Sequence, residues 1–133
     1  MRFTKSLDIA LMTLIQLATA RKQLSTAELS GVLHSPRNHI AKVIQILARG
    51  GFIQTVRGKG GGIRLAREPG RILVQEVFDL IEGPVCLIEC IVNPDVCLFS
   101  LNCRLRLKLR EAQENMTSVF RFTTLAELLP VTG

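Results

Sequence analysis

Apolar residues recur along the first part of the chain at helical spacing. Near the N-terminus they follow one another at three- and four-residue steps, as expected for one face of a helix: Phe3, Leu7, Leu11, Leu14 and Ala18. This stripe predicts a first helix over about Thr4–Ala20. Ser25-Thr26-Ala27-Glu28 has the form of a capping box and predicts a second, short helix that ends near Leu33.

A third helix is predicted after a tight turn. Ser35 is expected to be its N-cap, with Pro36 at the first helical position, where a missing N–H is tolerated. One face carries four apolar residues: Ile40, Val43, Ile44 and Leu47. The pair Gly50-Gly51 is expected to end this helix.

Two short extended segments follow, Phe52–Val56 and Ile63–Ala66. The connection between them is rich in glycine and positively charged, Arg57-Gly58-Lys59-Gly60-Gly61-Gly62, so the pattern predicts a β-hairpin. Helix, short helix, turn, helix and hairpin form the order of a winged helix-turn-helix. The predicted fold is mainly α with a small β-hairpin wing.

The second part of the chain predicts two further helices. One spans about Leu73–Glu82 and stops at Gly83-Pro84; the other runs from about Leu101 to Phe122. Apolar residues of this longer helix form a narrow seam with alternating steps of four and three: Leu105, Leu109, Ala112, Met116 and Val119. Such a seam packs either on a partner helix of coiled-coil type or on the chain's own core. Thr124–Leu129 is expected to form a last helical turn.

Charge divides the chain into two regions within one compact domain. Residues 1–72 hold 12 Lys/Arg against 3 Asp/Glu, whereas residues 73–133 hold 5 against 8. The basic region, 1–72, is therefore predicted to bind double-stranded DNA, and region 73–133 to have another task. The chain has no Trp or Tyr, so stacking on single-stranded bases is not expected.

The residues predicted to contact DNA lie in two places. At the start of the third helix, Arg37 suits guanine and Asn38 suits adenine in the major groove, and Lys42 suits phosphate. The full set predicted there is Ser35, Arg37, Asn38, His39 and Lys42. The alternative is an ordinary exposed helix surface.

In the wing, Arg57, Lys59 and Arg64 are predicted to enter the minor groove or to follow phosphates. A nucleotide-binding loop is the competing interpretation of the glycines. It is weak, because the wing sequence lacks the Gly-Lys-Ser/Thr ending that opens a helix.

All four cysteines fall within 18 residues: Cys86, Cys90, Cys97 and Cys103. The N-terminus is not interpreted as a secretory signal, because Asp8, Thr13 and Gln16 interrupt its apolar stretch, and no segment has the length of a membrane span. A cytoplasmic protein is expected, in which clustered thiols favour metal or redox chemistry. Zinc sites prefer two short Cys-x2–4-Cys pairs, whereas an iron–sulfur cluster accepts wide, unequal gaps.

Over nearly its whole length the chain resembles the winged-helix family of bacterial iron–sulfur regulators that includes NsrR and IscR. The resemblance rests on Phe3–Ala10, on Ser35–His39, on Arg57–Leu65 and on three cysteines before a long helix. It implies a homodimer, with the long helix at the dimer interface and a cluster near it that controls promoter binding.

By position, the resemblance implies Cys90, Cys97 and Cys103 as cluster ligands, with Cys86 as an alternative. Arg106 stands where IscR-type members have a histidine, so the chain looks closer to the NsrR type, although its Cys90–Cys97 gap is longer than is typical there. Asp8 occupies the place of a candidate fourth ligand that reaches across the dimer. Its alternative interpretation is an acid stabilised by the N-terminal dipole of the first helix.

The sequence thus predicts a repressor that binds a pseudo-palindromic operator, with a [2Fe-2S] or [4Fe-4S] cluster that senses nitric oxide, redox or iron status. One alternative is a clusterless regulator with Cys86 and Cys90 as a reactive thiol pair. Another is a zinc or redox interaction protein without specific DNA binding. No pair of carboxylates or nucleophile motif stands out, so an enzyme is not expected.

Overall fold

The computed structural model describes residues 3–84, 86 and 103–131. In chain order its helices and strands are α1 (Lys5–Ala20), α2 (Thr26–Leu33), α3 (Arg37–Arg49), β1 (Ile53–Val56), β2 (Gly62–Leu65), α4 (Val74–Glu82) and α5 (Arg104–Arg121). Short 3-10 turns cover Pro69–Arg71 and Leu125–Leu128. The predicted winged helix-turn-helix is confirmed in the type and order of its elements, although the start predicted for the longest helix, near Leu101, lies outside the described residues.

The first two helices begin at the expected caps. Thr4 caps α1, since its hydroxyl accepts the backbone N–H of Leu7 at 3.2 Å. The capping box of α2 is confirmed: Ser25 Oγ accepts the N–H of Glu28 at 3.0 Å, and the Glu28 carboxylate accepts the N–H of Ser25 at 3.2 Å. Both caps satisfy N–H groups that have no partner inside the helix.

The start of α3 differs from the prediction by one residue. Pro36, in an extended conformation with ψ of 141°, is the N-cap, and no side chain caps the helix. Ser35, predicted as the N-cap, is buried and its hydroxyl donates to the Leu33 carbonyl at 3.3 Å. The prediction was wrong because this hydroxyl bonds back to the end of α2, while the Pro36 carbonyl accepts the first helical N–H groups.

The wing is a two-stranded antiparallel sheet in which Ile53 pairs with Leu65 and Val56 with Gly62. Its tip depends on glycine, because Gly58 and Gly60 have positive φ angles of 93° and 77°. A Cβ on Gly61 would collide with the Val56 carbonyl. Bulkier residues would therefore open the tip.

One hydrophobic core joins the two predicted regions. Its fully buried side chains come from α1, α2, α3, α4, the segment just before α4 and the C-terminal 3-10 turn, and they include Leu14, Leu47, Ile72, Val77 and Leu125. Thr13 lies in the same core with its hydroxyl unpaired. The described part of region 73–133 therefore packs into the same core as region 1–72.

Within the described residues, the long helix α5 meets this core near its C-terminal end. The Phe120 ring stacks on Phe78 with 4.6 Å between centroids, and Phe3 meets both rings edge-on. Just after the helix, the Thr123 carbonyl accepts the N–H of Val74 at 2.9 Å. No described residue of α5 is fully buried, and Leu105, Leu107 and Val119 are more than half exposed.

Among the described residues, no helix is both long and apolar enough to cross a membrane.

Candidate nucleic-acid interface and cysteine site

The first turn of α3 presents polar side chains to solvent. Arg37 and Asn38 are exposed, and Lys42 is exposed one turn later. Within the described part of the chain, neither Arg37 nor Lys42 forms an ion pair. Cations that the protein leaves uncompensated are available to phosphate and to base edges.

His39, in the same turn, faces the protein instead. It is half-buried, and its Nε2 lies 3.3 Å from Ser6 Oγ in the first turn of α1. The contact fixes the start of α3 against α1. Sequence reasoning missed it, because nothing local pairs two residues 33 positions apart.

The wing carries the second group of cations. Arg57 and Lys59 are exposed at the tip. Arg64 is exposed on β2, where its Nε donates to Gln54 Oε1 of β1 at 3.2 Å. This cross-strand bond holds the Arg64 guanidinium against the base of the wing, while the two tip residues remain unpaired among the described side chains.

A second long-range contact joins α1 to the end of α4. The Thr4 hydroxyl, which caps α1, donates to Glu82 Oε1. Glu82 is the last residue of α4 and lies four positions before Cys86. The segment that leads into the cysteines is therefore bonded to the helix that touches the start of α3.

Two of the four cysteines lie among the described residues. Cys103 is the N-cap of α5, partly buried, with its Sγ accepting the N–H of Arg106 at 3.4 Å. Cys86 is exposed, and no disulfide links it to Cys103. The predicted ligands Cys90 and Cys97 lie outside the described residues.

Asp8 does not join the described cysteines. Its carboxylate pairs with Lys5 at 3.3 Å on the exposed side of α1. It also lies at the edge of an apolar groove of about 420 Å³ between α1, α4 and α5. In the described part of the chain no three His, Cys, Asp or Glu side chains converge as a metal site, so Asp8, Cys86 and Cys103 do not form one by themselves.

Comparison with known proteins identifies the family. Residues 3–130 match the model of the Rrf2 family, described as an iron-dependent transcriptional regulator. The chain is 33% identical over 132 residues to the HTH-type transcriptional regulator NsrR of Geobacillus kaustophilus (strain HTA426). This match covers 97% of the chain and 90% of the relative.

Solved structures share the fold. CymR (YrzC), the global cysteine regulator of B. subtilis, superimposes with a TM-score of 0.77 at 20% identity, covering 100% of this chain and 99% of that one. IscR of T. potens superimposes with a TM-score of 0.72 at 20% identity, covering 96% and 85%. The expected resemblance is confirmed: with a family match along almost its whole length, this chain belongs to the Rrf2 family and is a DNA-binding transcriptional regulator.

Proposed function

We propose that the chain is a homodimeric repressor that binds a pseudo-palindromic operator under the control of an iron–sulfur cluster. The cluster, [2Fe-2S] or [4Fe-4S], would respond to nitric oxide, redox state or iron. The proposal of DNA binding rests mainly on the exposed cations at the start of α3 and at the wing tip. These side chains form no ion pair with the described residues. These are the two surfaces with which a winged helix-turn-helix meets the duplex.

The proposed DNA contacts differ in kind. Arg37 and Asn38 would read guanine and adenine edges, while Lys42, Arg57 and Lys59 would bind phosphate or the minor groove. Arg64 would act at the base of the wing. Direct contacts from Ser35 and His39 stay predictions, and each would first have to leave its bond to Leu33 or Ser6. In the conformation described, these two side chains position the turn and the helix.

The donor set proposed for the cluster is Cys90, Cys97 and Cys103, with Asp8 or Cys86 completing it. Thiolates are the ligands that iron–sulfur clusters use, and a bound cluster supplies iron that reacts with nitric oxide and oxidants. The N–H that Arg106 donates to Cys103 Sγ supports this assignment, since hydrogen bonds to ligand sulfurs tune such sites. The G. kaustophilus relative named NsrR is the other support.

The dimer would form through α5. Leu105 and Val119 of the seam are 62% and 63% exposed, which an isolated chain would leave in water. A partner helix would cover them. Within one chain Asp8 and Cys103 do not converge on a common site. In a dimer, Asp8 of one subunit would instead be a ligand to the cluster held by the cysteines of the other subunit.

Two long-range hydrogen bonds supply a route from the cysteines to the DNA-reading helix. Glu82, just before the cysteine segment, bonds to Thr4 at the start of α1, and Ser6, two residues further along, contacts His39 of α3. A change at the cysteines would shift the end of α4, then α1, and then the position of α3. This route involves no contact between the cluster and DNA.

The experiment compares Cys97→Ala with Cys86→Ala in anaerobically reconstituted protein, by visible absorption and by binding to a duplex selected from a random library. Cys97→Ala should lose the chromophore and the response of DNA binding to nitric oxide. Cys86→Ala identifies the fourth ligand: it should keep both if Asp8 completes the donor set and lose both if Cys86 does. A Cys97→Ala protein with unchanged absorbance would remove Cys97 from the ligand set.

A clusterless thiol regulator is the second candidate, favoured by the exposure of Cys86. It predicts a colourless protein that binds DNA until Cys86 and Cys90 are oxidised. Cys86→Ser should then abolish sensitivity to peroxide and leave DNA binding intact. A zinc or redox interaction protein, by contrast, would show no preference among DNA sequences.

A further inference from the structure

A basic cleft opens at the end of α1 that is remote from the cysteine segment. It lies between the C-terminal end of α1, strand β2 and the 3-10 turn Pro69–Arg71, with a volume of about 940 Å³. Its charged lining consists of five cations and one carboxylate: Arg21, Lys22, Arg64, Arg67, Arg71 and Glu68. This cleft is distinct from the apolar groove beside Asp8.

Most of these cations are uncompensated. Arg67 is the exception, since it pairs with Glu76 at 3.3 Å and lies over the Phe52 ring at 4.2 Å. The other four make no ion pair in the described part of the chain. Like charges brought close together repel one another, and a bound anion would relieve this repulsion.

Helix capping explains only part of this charge. Arg21 and Lys22 follow the last turn of α1, where cations are favoured by the helix dipole. Arg64 comes from β2, and Arg71 ends a 3-10 turn of only three residues, which has too few aligned peptide dipoles to account for the charge. Three separate chain segments therefore bring positive charge to one concave surface.

Gln23 adds a polar group to the same lining. Its Oε1 is buried without a hydrogen-bond partner among the described atoms. A buried acceptor that has lost its water and gained no other partner destabilises the fold. A ligand with a hydroxyl or amine donor would satisfy it after a rotation of the amide toward the cleft.

The cleft is separate from the start of the DNA-reading helix. His39 of α3 touches α1 at Ser6, whereas Arg21 lies 15 residues further along. At 1.5 Å per residue this places the two about 22 Å apart along α1. The base contacts proposed for Arg37 and Asn38 therefore do not involve Arg21, Lys22 or Arg71.

We propose that the basic cleft binds a small polyanion, an organic polycarboxylate or a phosphorylated metabolite that also carries a hydrogen-bond donor. The separated guanidinium groups suit two or more anionic groups, because arginine pairs with carboxylate and phosphate in bidentate geometry. The volume falls in the range of small-molecule sites, about 300–1,000 Å³. The site is independent of the cysteines.

Isothermal titration calorimetry of the full chain with citrate, and separately with pyrophosphate, tests the proposal at constant ionic strength. Arg71→Gln should weaken binding about tenfold, the loss of one charge-assisted hydrogen bond. Arg49→Gln is the matched control, because Arg49 is exposed at the far end of α3 and outside the cleft. Its affinity should stay within about twofold of wild type. Preference for citrate or pyrophosphate would assign the ligand as carboxylate or phosphate.

The side-chain amide resonance of Gln23, followed by ¹⁵N NMR, locates the binding. It should shift with citrate or pyrophosphate in the wild type and much less in Arg71→Gln. Equal weakening in Arg71→Gln and Arg49→Gln would mean general attraction to a basic protein and would overturn the proposal. So would an unshifted Gln23, or a Gln23 that shifts with unrelated duplex DNA while both small anions fail to bind.

Discussion

Helices α3 and α5 both carry an apolar stripe at helical spacing, but the stripe of α3 is buried whereas much of the stripe of α5 is exposed. On α3 the four apolar residues Ile40, Val43, Ile44 and Leu47 are all buried. On α5 no residue is buried, and Leu105 is 62% exposed. Periodicity therefore identifies which face of a helix is apolar, but not whether the same chain covers it.

This difference in burial indicates that the α3 stripe stabilises the fold, whereas the α5 seam is available for the proposed dimer contact. The core fixes α3, so the solvent side proposed to contact DNA is held in place by buried side chains. Among the described residues α5 packs on the core at Phe120, beside the seam, whereas Leu105 of the seam, near Cys103, is exposed. We expect changes to the α3 stripe to affect folding and changes to the α5 seam to affect association.

The largest effect is expected from Leu47→Ala. Leu47 is completely buried on α3, so its removal should lower the free energy of unfolding by about 2–5 kcal/mol through lost burial and a residual cavity. Urea unfolding followed by circular dichroism measures this change. A loss no greater than that of an exposed Leu107→Ala variant would break the contrast between the two helices.

Leu105→Ser should act on assembly instead. A leucine buried at an interface contributes about 1.5–3 kcal/mol, so the dimer should dissociate at concentrations at which wild type does not. Leu107→Ser is the matched control, since Leu107 is 60% exposed but off the seam. Analytical ultracentrifugation distinguishes them. Equal dissociation in both variants would refute the seam, and an unchanged helical content would show that neither variant unfolds.

The solvent side of α3 and the wing should differ in how they bind DNA. Arg37→Ala should cost about 1–3 kcal/mol on a selected duplex and relax the sequence preference. Lys59→Ala should weaken binding similarly for all sequences and reduce the salt slope by about one. Fluorescence anisotropy over a range of salt concentrations measures both. If neither variant changes DNA binding, the proposed docking is wrong.

The smallest effect is expected at α2, which packs against α3. Ser25→Ala removes one half of the capping box and should lower the free energy of unfolding by about 1 kcal/mol. Thermal unfolding checks this, with Ser25→Asp as the conservative variant that should retain the cap. A neutral Ser25→Ala would mean that water replaces the cap without loss.

The sequence was sufficient where the determinants are local. The capping box at Ser25, the stripe of α3 and the glycine tip of the wing each follow from residues a few positions apart, and all were predicted. Ser35 shows the limit of such reasoning: a serine before a proline suits an N-cap, but its hydroxyl bonds to the Leu33 carbonyl instead.

The parts that could not be predicted depend on packing between distant segments. His39 has the position of a base-reading residue, and only the placement of α1 turns it toward Ser6. Likewise the bond between Thr4 and Glu82, and the gathering of arginines from three segments into the basic cleft, require the folded chain. The roles of Cys90, Cys97 and Asp8 remain predictions.

The most direct test of cluster control is the visible absorption spectrum of anaerobically purified protein before and after a stoichiometric pulse of nitric oxide. We expect a brown protein with a broad sulfur-to-iron band that bleaches on addition. A brown protein unaffected by nitric oxide would retain the cluster and restrict its signal to iron or redox state. A protein that stays colourless after anaerobic reconstitution with iron and sulfide would contradict the account.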